Sequence, residues 1–466
     1  MRYPLMIATF VALACSGATG PVPAAGGADA GSRPGPNGTD GGGTVGGGPT
    51  NTPATGTGLI PTTADGWRPL APRAVSAPAV SVTNGADSYV LNASGRGIAN
   101  VYGGWTAHVP GLQGSTYYRF TARARPVNVT SIRESVTILL RWRGSFGDEE
   151  QPDYVWNFEK QQDGSILFDR TLQAPAGTSA VDVELVLQWS PGGQVAFDKL
   201  SFAAAAAPSG RKVRVASIYY RPSGTRNGLD SVQQAGHYAE QVAAANHPDV
   251  MVLGELLNAI GTPGTFDANA ETVPGPSTDF MAGIARANHV NLVFGMVERA
   301  GDVLFNTAVL IDRNGSIAAK YHKVQLPISD ASAGLAPGDS VPVFDTDFGK
   351  VALLICQDIW FPEPAREAAL KGAELLLVPI WGGKTALVHA RAVENGIYLA
   401  ASGYDYASEV VNPIGSVLAS VIIDAGPRVA VADIDLSQRF REQWLGDWRD
   451  IANKERRSEP YQYRLP

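Results

Sequence analysis

Three residues far apart in the chain could do chemistry together: a carboxylate at Glu255, an ammonium at Lys323 and a thiol at Cys356. Each closes or follows a mainly apolar run. Glu255 ends Asp249-Val-Met-Val-Leu-Gly-Glu255, Lys323 ends Ala318-Ala-Lys-Tyr-His-Lys323, and Cys356 ends Lys350-Val-Ala-Leu-Leu-Ile-Cys356. A thiol attacks only as thiolate, and at a reference pKa of about 8.5 it needs a base or a positive neighbour near neutral pH. A carboxylate and an ammonium would supply both. Taken singly, each residue has a plainer reading: a small buried filler for Cys356, a cap or ion pair for Glu255, a solvated charge for Lys323. Separations of 68 and 33 residues rule out local contact, so only the fold could bring the three together.

The elements that would position them alternate between strand and helix. Strands are expected at Val213–Tyr219, Asp249–Gly254, Asn291–Glu298, Thr307–Asp312, Ser316–Tyr321, Val351–Ile355, Leu375–Pro379, Tyr398–Ser402, Ser416–Ile423 and Arg428–Ile434. Helices are expected at Leu229–Ala245, Ser277–Asn288, Glu363–Lys371 and Thr385–Asn395. Asp312-Arg-Asn-Gly315 places Asn-Gly at the centre of a hairpin turn. In layered α/β folds, sites gather beyond the carboxyl ends of strands, where all three residues fall. Cys356 also precedes a helix, whose N-terminal dipole would favour thiolate.

Upstream the pattern changes. Residues 66–205 read as an all-β domain, a β-sandwich, from short runs at Ser88–Asn92, Thr116–Arg125, Ser135–Trp142, Ser165–Thr171, Val181–Trp189 and Val195–Phe202 broken by Gly/Pro turns. A small-residue linker then leads to a second domain over 211–466. Residues 16–65 are low in charge and rich in Gly, Pro and Thr, as expected of a flexible linker. Residues 1–15 read as an export signal: Arg2, an apolar stretch Pro4–Ala14 too short to span a bilayer, then Ala12-Leu-Ala-Cys15. That end resembles a bacterial lipobox, which would make Cys15 a lipidation site and anchor an exported protein to a membrane; an ordinary secreted protein is the alternative. With Cys15 lipidated, Cys356 has no disulfide partner, since the chain has only two cysteines. A net charge of −7 without a dense basic block argues against nucleic acid as a partner.

The second domain resembles the nitrilase superfamily of carbon–nitrogen hydrolases. The resemblance rests on Glu255, Lys323 and Cys356 in order, and on the blocks Phe305-Asn-Thr-Ala-Val-Leu-Ile-Asp-Arg-Asn-Gly315, Gly349–Arg366, Gly372-Ala-Glu-Leu-Leu-Leu-Val-Pro379 and Ala390-Arg-Ala-Val-Glu-Asn395. It implies a four-layer α-β-β-α sandwich and a Glu–Lys–Cys triad that cleaves a non-peptide C–N bond through a thioester. Glu255 would be the base, Lys323 and the backbone N–H of Gln357 would hold the oxyanion, and no metal or organic cofactor would be needed. It also implies a homodimer or larger, with the tail Glu442–Pro466 available for an interface. Many members carry a second Glu soon after the lysine; this chain has none between Lys323 and Cys356, and Asp330 is the nearest stand-in. Gln357-Asp358 after the nucleophile, in place of the Trp-Glu of many true nitrilases, favours small amides or carbamoyl compounds as substrates.

Other residues have subordinate expectations. Asp358 would order its loop, Arg391 and Glu394 would pair on a helix, and His322, next to Lys323 on a strand, would point away from the site. His389 offers a Cys–His alternative. Tyr220, Asn258, Trp360 and Trp381 are candidate pocket residues. The β domain resembles jelly-roll carbohydrate-binding modules through Gly103-Gly-Trp105, Gly114-Ser-Thr-Tyr-Tyr-Arg-Phe120 and Val195-Ala-Phe-Asp198. Trp105, Trp142, Tyr154, Trp156 and Trp189 could then stack on a glycan or fill the core. A surface-binding protein with an inactive second domain, or an acyltransferase of the same family, are the alternative functions.

Overall fold

The computed structural model describes residues 58–84, 89–146, 151–421, 423, 426–442 and 445–457. The segment read as an export signal, Cys15 and most of the Gly/Pro-rich stretch lie outside the described residues. Among the described residues no helix is long and apolar enough to cross a membrane.

Residues up to Ala204 form two antiparallel sheets. One runs Arg68–Leu70, Tyr102–Pro110, Thr178–Gln188, Val136–Gly144, Gln151–Tyr154; the other runs Ala79–Asn84, Tyr89–Ser94, Gln194–Ala204, Tyr117–Val127, Ile166–Gln173, Phe158–Lys160. Alternate residues of both sheets enter one core: Trp105, Ala107 and Val109, or Val181, Val183, Leu185 and Leu187, against Phe120, Ala122, Ala124 and Phe197. The strand Tyr102–Pro110 was not foreseen, since its paired glycines Gly103-Gly104 weaken a strand pattern. A Cβ at Gly104 would stand 2.1 Å from the Leu185 carbonyl oxygen, so these glycines permit close approach of neighbouring strands.

From Lys212 the chain builds two further sheets. The first runs Ile317–His322, Val303–Ile311, Asn291–Ala300, Val250–Val252, Lys212–Tyr219, Arg428–Asp435. The second runs Phe344–Asp345, Lys350–Leu353, Leu375–Pro379, Tyr398–Ser402, Glu409–Val411, Val417–Ser420. Period-2 alternation sorts the side chains into layers. Met251, Leu253, Leu292, Phe294, Val309 and Ile311 pack with helices Gly228–Asn246 and Pro276–Asn288. Val250, Val252, Val293, Ala308 and Leu310 turn the other way, into a core shared with the second sheet and helices Pro362–Leu370 and Thr385–Asn395. The layer order is helix, sheet, sheet, helix. Two strands stop earlier than their apolar runs suggest: Val250–Val252 releases Gly254 and Glu255, and Lys350–Leu353 releases Leu354 to Cys356.

The described part of the tail packs within the chain. Helix Trp448–Lys454 and the segment before it lie against the N-terminal sheets of the same chain. Arg439 and Arg441 both pair with the buried Asp153, which also accepts from Trp142 Nε1 at 2.7 Å. Asp450 accepts from Arg170 at 2.7 Å and from Trp156 Nε1 at 2.8 Å, and Arg133 donates to the Asn453 carbonyl at 2.9 Å. The aromatic residues considered for glycan stacking differ in their surroundings. Trp105 and Trp142 are core, Tyr154 donates to Glu455, Trp156 serves Asp450, and half-exposed Trp189 lies under the Arg457 guanidinium.

Candidate active site

Glu255 sits just past the strand Val250–Val252, on backbone held from two sides. A Cβ on Gly295 would lie 2.7 Å from Glu255 Cα, and one on Gly254 would lie 2.5 Å from the Tyr404 ring. Tyr404 donates its hydroxyl to the Glu255 carbonyl at 2.8 Å. Leu256, next in line, has φ +52°, a conformation that L-residues adopt at a cost. The chain turns sharply there, and the Glu255 side chain is left buried.

Lys323 follows the strand Ile317–His322. Its N–H donates to the Asn306 carbonyl at 2.9 Å and its own carbonyl accepts from Gly338 at 2.8 Å. Its side chain is 2% exposed, and Nζ donates to Glu255 Oε1 at 2.8 Å and to Asp330 Oδ2 at 3.0 Å. Burial alone would lower the pKa of this ammonium; Glu255, Cys356 and Asp330 reverse that and hold it above its ordinary value. Asp330 reaches the lysine from the short helix Ile328–Ser332, so the shorter carboxylate occupies a position beside the ammonium.

Cys356 opens a single 3-10 turn, Cys356–Trp360, at φ +40°. A non-glycine residue in that region marks backbone held under strain by its surroundings. The restraint is visible in Asp358. Its carboxylate accepts from the N–H of Ile355 at 2.9 Å, the N–H of Gln325 at 2.8 Å and the Tyr321 hydroxyl at 2.8 Å, which stitches the cysteine turn to the loop after Lys323. Burial raises the Asp358 pKa to about 6 against those donors. Arg391 holds the far end of the turn through the carbonyls of Ile359 and Trp360, and pairs with Glu394 at 2.9 Å.

The thiol is partly buried and donates to the Gly382 carbonyl at 3.5 Å. Burial, and then the negative charge of Glu255, push its pKa up to about 12, against the opposing pull of Lys323 and the backbone of Trp381 and Gly382. The helix-dipole expectation is therefore corrected. One 3-10 turn cannot outweigh desolvation and an adjacent carboxylate, so the resting form is the neutral thiol. The same interaction shows that Glu255, Lys323 and Cys356 share one electrostatic environment. The backbone N–H of Gln357, in the first turn after the sulfur, has no acceptor among the described residues.

His322 points away, bonded to Glu298 at 2.9 Å and stacked on Phe305, and His389 pairs with Glu409. Asn258 is no pocket residue. It is fully buried and tied to Asn269 and to both backbone groups of Val297. Trp381 packs edge-on against Tyr404 with ring centroids 5.5 Å apart, while Trp360 is 45% exposed and Tyr220 stacks on Tyr238. Sequence reasoning missed Asn306 and Tyr404. Asn306 lies inside the quoted Phe305-Asn-Thr block, which was its one signal. Among the described residues no cluster of His, Cys, Asp or Glu is arranged to hold a metal ion.

Four layers carry a buried carboxylate, a buried ammonium and a partly buried thiol just past strand ends, and comparison with known proteins gives the class. The chain belongs to the carbon–nitrogen hydrolase family, whose model matches residues 214–440. A hydrolase of Schizosaccharomyces pombe is 34% identical over 223 residues, covering 42% of this chain and 69% of that protein. A nitrilase of Pyrococcus abyssi is 35% identical (41% of this chain, 77% of that protein), and an omega-amidase of Danio rerio is 32% identical (47% and 86%).

Proposed function

We propose that the protein hydrolyses a small amide or carbamoyl compound through a thioester on Cys356. The observation that carries this reading is the buried Lys323 ammonium, bonded to Glu255 and Asp330 and coupled electrostatically to the Cys356 sulfur. Because the thiol rests neutral, its proton must leave as the bond to carbon forms. Glu255 takes that proton while sulfur attacks the carbonyl carbon. Lys323 and the Gln357 N–H face the oxygen that gains charge; one such donor is typically worth about 3 kcal/mol. Glu255 then returns the proton to the departing nitrogen as the C–N bond breaks. Water adds to the thioester with Glu255 again as base, releasing the acid and restoring the thiol. Every proton and electron pair in these steps is handled by the three side chains and water.

The related proteins include a nitrilase as well as an omega-amidase. Gln357-Asp358 supports the amide choice, with Asp358 fully engaged in holding the turn. The test is ammonia release from short aliphatic amides and the matching nitriles by the full chain. Amide turnover is expected, lost in Cys356→Ala and reduced about 100-fold or more in Glu255→Gln. Nitrile turnover alone, or amide turnover that survives Cys356→Ala, would sink the proposal. Added hydroxylamine shows whether an amine intercepts the acyl group in place of water.

A further inference from the structure

Asn306 occupies the centre of this cluster, yet nothing in its residue type announces a role. It lies on the strand Val303–Ile311, opposite Val297, and is fully buried. The next residue, Thr307, sends its hydroxyl to Glu298 at 2.8 Å on the opposite face, so strand alternation turns Asn306 toward Glu255 and Asp330. Its Nδ2 donates to Glu255 Oε1 at 2.8 Å and to Asp330 Oδ2 at 3.3 Å. Its backbone carbonyl receives the Lys323 N–H. One residue therefore touches the carboxylates on both sides of the ammonium and the ammonium's own backbone.

The amide orientation follows from its neighbours. Turned over, it would press Oδ1 against two carboxylate oxygens, so the NH2 end must face them. In that orientation Oδ1 is buried without a hydrogen-bond partner. A buried polar atom left unpaired is costly and uncommon, which argues that the donor end is what the site retains. The consequence for Glu255 is specific. Oε1 accepts from both Lys323 and Asn306. Oε2 has no hydrogen-bond partner among the described residues. Two donors on one oxygen fix the carboxylate plane and leave the other oxygen free to accept a proton.

We propose that Asn306 is a positioning residue of this site: its carboxamide locks Glu255 and Asp330 on either side of Lys323 and presents Glu255 Oε2 to the Cys356 thiol. This rests on the reading of Glu255 as the base for Cys356. A neutral double donor suits the task because a second cation would disperse the charge that Lys323 brings to the oxyanion, and a carboxylate would add repulsion.

The test uses the full chain and iodoacetamide, with alkylation of Cys356 followed by intact mass from about pH 5.5 to about pH 9. Asn306→Leu keeps the backbone carbonyl and approximate volume but donates nothing. It is expected to slow alkylation about 100-fold, the scale of a small misplacement at a reacting centre. Asn306→Asp, nearly isosteric, adds a third carboxylate beside Glu255, Asp330 and Lys323. It should react poorly at the alkaline end and recover toward acid pH, where a retained proton again provides a donor. A purely structural role would not shift that profile. The proposal is overturned if Asn306→Leu stays within about threefold of the parent, or if the Asn306→Asp profile superimposes on the parent's. Glu255→Gln run alongside separates the two claims: an unchanged rate there removes the base itself, whereas a slowed rate with unaffected Asn306 variants removes only the positioning role.

Discussion

Cys356 rests as a thiol because burial, and then the charge of Glu255, outweigh the pull of Lys323, whose ammonium is divided between two carboxylates. In the proposed reaction Lys323 therefore serves the oxyanion more than a resting thiolate. Asp330 matters to that arrangement as the lysine's second anchor, and a hydrogen bond to a charged group contributes about 1.5–3 kcal/mol. Asp330→Ala should lower amide turnover about 10- to 100-fold, with Asp330→Asn in between; a loss under about twofold in the Ala variant would show that Glu255 alone holds the lysine. Glu255, Lys323 and Cys356 were legible in the sequence because chemically capable side chains stood at the ends of apolar runs. Asp330 came from the family resemblance, as the nearest stand-in for the second Glu that many members carry after the lysine. Asn306 was not legible, since a neutral amide within a strand has the same local signature as a structural one. Asn258 was misplaced for a related reason: a polar residue near Glu255 could have faced the cavity, and only the Val297 pairing shows that it closes a loop.

At the level of elements, regular segments were legible where one period dominated. Helices Pro276–Asn288 and Thr385–Asn395, and strands Leu375–Pro379 and Tyr398–Ser402, lie where their patterns put them to within a residue. The failures have physical causes. Strand Tyr102–Pro110 carries glycines because adjoining backbone leaves no space for a Cβ, and the sequence shows only the glycines. Helix Ile328–Ser332 spans five residues, too few to set up a period, yet it delivers Asp330. The two strands end early, at Val252 and Leu353, and a few residues further on the backbone reaches positive φ at Leu256 and Cys356. Tertiary contacts from Tyr404 and Asp358 hold those departures, and such contacts are invisible in a linear pattern.

For the whole molecule, the tail joins the N-terminal sheets to the hydrolase layers through a buried ionic network. Lys454 is its weak point. Its ammonium is buried against the carbonyls of Arg133 and Val136, with the Arg133 guanidinium and the Glu134 carboxylate as the facing charges. Burial, then Arg133, hold its pKa down at about 7, below the ordinary 10.5. The fold thus favours the neutral amine, and protonation in the native state weakens it. Stability from this group is lowest below about pH 7 and rises as pH climbs toward about 10.5. Lys454→Met removes the dependence. Between about pH 6.5 and about pH 9 the parent Tm should gain roughly 3 °C on the variant's. Parallel Tm curves for the two would mean that Lys454 stays charged and adequately paired.

The most direct measurement is intact-mass detection of an acyl adduct on Cys356 when the full chain is mixed with short aliphatic amides and quenched in acid. The expected result is a mass gain equal to the acyl group, absent in Cys356→Ala and cleared with time as water attacks. Amide turnover with no adduct on the parent at any quench time, or the same adduct on Cys356→Ala, would contradict a thioester at this residue.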